Sequence, residues 1–82
     1  MYYFYVLQSE LDKKLYYGQT TDLRKRLAEH NEGQVPSTKQ RRPLEIIYYE
    51  AYNSKELAIK RERVVKRSGT ARDALRKRIL GP

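Results

Sequence analysis

From the second residue the chain runs Tyr-Tyr-Phe-Tyr-Val-Leu-Gln, apolar or aromatic at odd and even positions alike. Successive strand side chains point to opposite faces, so Tyr2 to Gln8 is predicted to be a strand covered on both sides. Ser9 to Lys14 is a polar turn, and Leu15 to Thr20 reads as the second strand of a hairpin. Gly18 within it marks a bulge or a close backbone approach. Thr21 or Asp22 can cap a helix that runs to about Asn31, with Asn31 and Gly33 as stop signals. Gln34 to Pro43 is a polar, basic loop, and Leu44 to Tyr52 a third strand. Asn53 or Ser54 then caps a helix from Lys55 to about Arg67, with Glu56 placed to meet the positive end of its dipole. Ser68-Gly69-Thr70 breaks that helix, and a last one follows from Ala71 to Leu80, with Ala71, Ala74, Leu75 and Ile79 at helical spacing. The order β-β-α-β-α-α predicts an α+β fold: a small, mainly antiparallel three-stranded sheet flanked by helices. A single domain over residues 1–82 is expected, with its core in about 2–69 and a basic helix at about 71–80.

Composition narrows the chemistry. There is no cysteine, which removes disulfides, thiolate metal sites and cysteine nucleophiles, and one histidine, His30, which removes a histidine-rich metal centre. No apolar stretch approaches the roughly 20 residues of a membrane span, and no signal peptide is evident, so a cytoplasmic protein is expected. The net charge of +8 is unevenly spread. Up to Gly33 five basic residues balance five acidic ones, and from Gln34 onward 13 basic residues face 5 acidic ones. A one-sided positive surface attracts polyanions, and nucleic acid suits it better than a membrane because the basic helices lack a broad exposed apolar face.

Several side chains could act on such a polyanion. Tyr5 and Tyr16 line one wall if the hairpin sets them on the same face. A phenol, with a reference pKa near 10, needs a neighbouring cation to serve as a base; otherwise such tyrosines simply pack the sheet. Arg26 and His30 are four apart on the first helix, at the border of the face bearing Leu23 and Leu27. A guanidinium there could hold a phosphate through two donors, or simply pair with Asp22. Glu62 falls beside Ala58 and Val65 on the second helix, where it could bind Mg2+ with water and phosphate oxygens as the remaining ligands, or pair with Lys66. Arg61 lies in the apolar arc of that helix without an evident partner. In the loop, Ser37, Thr38, Lys39, Arg41 and Arg42 have the character of phosphate-backbone contacts, or of a solvated basic loop.

Taken in order, Tyr3-Phe4-Tyr5, Tyr16-Tyr17-Gly18, Thr21-Asp22-Leu23-Arg24-Lys25-Arg26-Leu27, Glu29-His30-Asn31 and Ala58-Ile59-Lys60-Arg61-Glu62 resemble the signature segments of the GIY-YIG nuclease superfamily, in particular its small free-standing bacterial members. The resemblance covers Tyr2 to about Gly69. It implies a divalent-metal-dependent endonuclease acting on DNA with one Mg2+ or Mn2+ ion. Tyr16 would activate water, Arg26 would stabilise the transition state, Glu62 would bind the metal, and Tyr5 and His30 would orient water or phosphate. Arg61, with the loop residues Thr38, Lys39, Arg41 and Arg42, would contact the nucleic acid. Three positions depart from the pattern. Tyr3 stands in place of the first triplet's glycine, Gln19 stands where some relatives carry lysine, and the distal asparagine of longer members is missing. A catalytically inactive nucleic-acid-binding module and an RNA-associated protein of the same shape are the alternatives. Substrate geometry, oligomeric state and an unidentified protein partner stay open.

Overall fold

The doubly apolar first strand is the central one. In the computed structural model, which describes residues 1–82, β1 (Tyr2–Ser9) pairs antiparallel with β2 (Leu15–Thr20) on one side and β3 (Leu44–Tyr52) on the other. Helices α1 (Leu23–Asn31), α2 (Lys55–Arg67) and α3 (Gly69–Leu80) complete the expected β-β-α-β-α-α order. Phe4 and Val6 pack with Val65 of α2 and Leu75 of α3, while Tyr5 and Leu7 pack with Leu44, Leu23 and Leu27 on the opposite face, where α1 lies. Phe4, Val6 and Leu7 are fully buried, each contributing roughly 1.5–3 kcal/mol by removal from water.

The hairpin register sets Tyr5 opposite Gly18 and Leu7 opposite Tyr16, so Tyr5, Tyr16 and Gly18 share the α1 face. Gly18 is a close approach and not a bulge; the sheet's one irregularity lies between Val6 and Leu7, on the β3 side. The Tyr5 phenol fills the space over Gly18, where a Cβ would come within 3 Å of three of its atoms.

Local polar contacts decide how elements begin and end. Asp22 caps α1, its carboxylate accepting from the Lys25 N–H at 3.0 Å. At the other end of α1, the Asn31 amide donates to the Leu44 carbonyl (2.9 Å) and accepts from its N–H (2.8 Å), tying the helix to the first residue of β3. Two boundaries differ from expectation. The tract read as loop contains a 3-10 turn, Lys39–Arg41. It is pinned by the buried Ser9 hydroxyl, which donates to the Arg41 carbonyl (2.6 Å) and accepts from the Leu11 and Asp12 N–H groups (3.1 Å each). The break between α2 and α3 is one residue, Ser68, instead of three. Its backbone is extended (φ −112°, ψ 114°), its N–H closes α2 onto Val64, and its hydroxyl accepts from the Ala71 N–H at 3.1 Å. With the cap supplied there, Gly69 and Thr70 join α3. No helix is long and apolar enough to cross a membrane.

Candidate active site

A directed hydrogen-bond chain forms the floor of the site. His30, fully buried in the last turn of α1, contacts Tyr5 Oη through Nε2 (3.0 Å) and Thr38 Oγ1 through Nδ1 (2.7 Å). The Thr38 hydroxyl donates to the Val35 carbonyl at 3.4 Å, so it accepts from Nδ1–H, which leaves Nε2 to accept from the Tyr5 O–H. This network assigns the neutral Nδ1–H tautomer. Burial, aided by the nearby Arg26 charge and only partly offset by Glu29, brings the His30 pKa down to about 4. Burial likewise lifts the Tyr5 hydroxyl above the ordinary phenol value, with Arg26 beside it pulling the other way.

These facts revise two sequence-based roles. Tyr5 (2% exposed) and His30 (0%) were expected to orient water or phosphate, but both are covered and their polar atoms are engaged. They hold other groups in place. The Arg26 guanidinium lies against Tyr5 Oη and, through Nη1, bonds Glu29 Oε1 at 3.0 Å, the two together raising its pKa further. The alternative partner Asp22 is committed to its cap. About a third of the Arg26 side chain remains exposed (36%), and it forms part of an entirely polar cleft of about 320 Å³ lined also by Gln19, Thr20, Thr21, Asp22, Lys25 and Glu29.

Tyr16 stands next to the floor, its ring edge-on to the His30 imidazole at 5.0 Å between centroids. From the far side comes α2. It packs on the Phe4 face, but β2 is an edge strand, so side chains on the β2 side of the helix can pass its rim. Lys66 does so, its Nζ 5.5 Å from the centroid of the Tyr16 ring. The same ammonium pairs with Glu62 Oε2 at 3.3 Å, the ion pair that the i,i+4 spacing offered. Phenol, guanidinium and carboxylate from β2, α1 and α2 are thus joined by a relay of pairwise contacts through Tyr5, His30 and Lys66.

The Glu62 side chain is 23% exposed and already bears a cation, so its environment suits a positive ligand. No cluster of three or more carboxylates or histidines exists that could enclose a metal. A divalent ion would have Glu62 as its one acidic ligand, with water and phosphate oxygens completing the shell, an arrangement Mg2+ tolerates.

The residues expected to contact nucleic acid separate. Thr38 is not at the surface: it is fully buried beneath His30, because the turn before Lys39 folds it inward. Arg41 pairs with Asp12 (3.2 Å) and donates to the Leu15 carbonyl (3.3 Å), bracing the hairpin turn. Lys39 and Arg42 are exposed; Arg42 donates to the Lys39 carbonyl at 2.8 Å and lies over Gly33. Arg61, expected at nucleic acid, instead makes two bonds to Glu50 (3.0 and 3.3 Å) and covers the Phe4 ring at 5.6 Å, on the sheet face away from Tyr5. That pair explains an arginine in the apolar arc of α2. The Thr38 and Lys66 contacts were missed by sequence reasoning. Thr38 offered no signal, whereas Lys66 was visible as Glu62's partner but not as Tyr16's.

The model of the GIY-YIG catalytic domain matches residues 1–76. Two UPF0213 proteins from strains of Streptococcus pyogenes are each 48% identical over 69 residues, covering 83% of this chain and 74% of their own length. A solution NMR structure of a UPF0213 protein from Bacillus halodurans aligns with a TM-score of 0.60 at 33% identity, over 100% of this chain and 89% of that one.

Proposed function

The chain belongs to the GIY-YIG family, whose fold is that of a nuclease, and from that premise we propose a divalent-metal-dependent endonuclease that hydrolyses DNA phosphodiester bonds. The observation that supports this reading is the run of contacts joining Arg26 to Tyr5, Tyr5 to His30, His30 to Tyr16, and Tyr16 to the Lys66–Glu62 pair.

Arg26 binds a non-bridging phosphate oxygen, its charge countering the negative charge that grows on the phosphoryl group as water adds. Tyr5, held by His30, supports that guanidinium from behind. His30, neutral at pH 7, adds no like charge to the site. Tyr16 Oη takes the proton of the attacking water, and its ring is held by His30 on one side and Lys66 on the other. Glu62 would hold the divalent ion, which supplies neutralisation of phosphate charge and assistance to the departing oxygen. Exposed Lys39 and Arg42 offer phosphate contacts that position the strand without reading its sequence.

The test is nicking of supercoiled and branched DNA with Mg2+ or Mn2+. Wild-type protein nicks, and Glu62→Ala lowers the rate on the order of 10²-fold or more, as loss of a charge-stabilising group does, with an unchanged circular dichroism spectrum. Equal cleavage by the folded variant, at equal purity, refutes the assignment.

A further inference from the structure

The Glu62–Lys66 pair differs from an ordinary surface ion pair in one respect: its ammonium also sits over an aromatic ring from another element. Lys66 Nζ is 3.3 Å from Glu62 Oε2 and 5.5 Å from the centroid of Tyr16. Cation and ring at that separation attract, so the lysine is steered toward β2 as well as toward its helical neighbour. Nearly half its side chain is exposed (46%), and the four-carbon stem leaves the ammonium free to swing.

We propose that Lys66 is a second cationic residue of the site that occupies Glu62 in place of the divalent ion and transfers to the substrate phosphate when the ion binds, so that metal and phosphodiester bind synergistically. The inference rests on the reading of Glu62 as metal ligand. The physical basis is a charge count. One carboxylate can neutralise one ammonium, but a divalent ion beside that ammonium leaves a local excess of two positive charges. The ion alone therefore competes with Lys66 for the same oxygen and is repelled by it once displaced. A phosphodiester supplies one negative charge, which halves that excess, and gives the released ammonium a partner within reach of Tyr16.

The test is titration of Mn2+ alone, followed by electron paramagnetic resonance and calorimetry at low ionic strength, on wild type, Lys66→Met, Lys66→Arg and Glu62→Gln. It is repeated with a thymidine dinucleotide phosphorothioate present. The first expected result is that Lys66→Met binds Mn2+ alone about threefold tighter or more, the scale of a partly exposed ion pair. The dinucleotide should raise Mn2+ affinity less in Lys66→Met than in wild type, and Lys66→Arg, which keeps the cation, should behave as wild type. Equal or weaker Mn2+ binding by Lys66→Met, while Glu62→Gln still loses binding, overturns the role of Lys66 alone. Mn2+ binding that ignores Glu62→Gln overturns the metal reading and this inference with it. Lys66→Gln, which also lacks the charge, serves as the second neutral variant if the methionine protein is unstable, and the same outcomes apply to it.

Discussion

On the Phe4 side of the sheet the hydroxyls of Tyr48 and Tyr52 both donate to Glu50 (2.6 Å each), and Arg61 completes the carboxylate with two further bonds. On the Tyr5 side the buried phenol donates to a neutral imidazole, and Glu62 has a single half-exposed cation. Burial pushes the Glu50 carboxyl up, but its two phenol donors and Arg61 outweigh that and hold it below the usual carboxylate range. Burial, followed by the bond to that anion, takes Tyr52 up to about 12. The tyrosine with the largest upward shift is therefore on the side where every acceptor is used. A displaced pKa marks strong local hydrogen bonding as readily as it marks chemistry. What distinguishes the candidate site is the number of partners: Glu62 has one ion-pair partner and Arg26 one carboxylate, whereas Glu50 accepts four hydrogen bonds.

Three perturbations probe this contrast. The largest effect is expected on the Tyr5 side. Arg26→Ala should lower DNA nicking by about 10²–10³-fold, as loss of an oriented charge-stabilising donor does, while stability changes by only about 0.3–0.5 kcal/mol, the scale of an i,i+3 pair. Parallel nicking assays and urea unfolding measure the two; a loss of activity matched by a loss of fold would erase the distinction between the faces.

Next is pH. The folded protein keeps His30 neutral to about pH 4, whereas in the unfolded chain the imidazole protonates near 6.5. Between those values the unfolded state binds more protons, so stability rises with pH across this window. It is flat above 6.5 on this account, and about 3 kcal/mol is lost by pH 4 at roughly 1.4 kcal/mol per unit. Urea midpoints at pH 7, 5.5 and 4 follow it. The same slope in a His30→Gln variant would assign the loss elsewhere.

The smallest effect belongs to the Phe4 side. Glu50→Gln removes the charge that Arg61 answers, yet both groups retain some contact with water. The expected cost is about 1–2 kcal/mol of stability, with nicking measured well below the melting temperature staying within about threefold of wild type. A collapse of activity without a loss of stability would make the Glu50 cluster part of the chemistry.

Sequence periodicity carried most of the architecture. β1's two apolar faces forced it to the centre, and β2, β3 and α2 run between the residues their patterns indicated. Gly18 and Asp22 were legible because a strand glycine and a helix-preceding aspartate each have few physical uses. What escaped was set by contacts that have no period. Thr38 is buried because the turn before Lys39, closed by its own N–H on the Val35 carbonyl, points it at His30. Arg61 chose Glu50, an acid on another element, over any helical neighbour. The one-residue joint at Ser68 was hidden because Gly69 and Thr70 both look like breakers until a cap is supplied ahead of them. The residues that compose the candidate site were each visible as types; which of them remain open to a ligand became apparent only from burial and partner geometry.

The seating of the Tyr5 ring over Gly18 gives the two sequence triplets a shared meaning. They occupy different strands, yet the bulk of one is accommodated by the bareness of the other. Volume added at position 18 would have to be surrendered at position 5, and with it the hydroxyl that steadies both His30 and Arg26, so across this hairpin the two residues form a single unit of design.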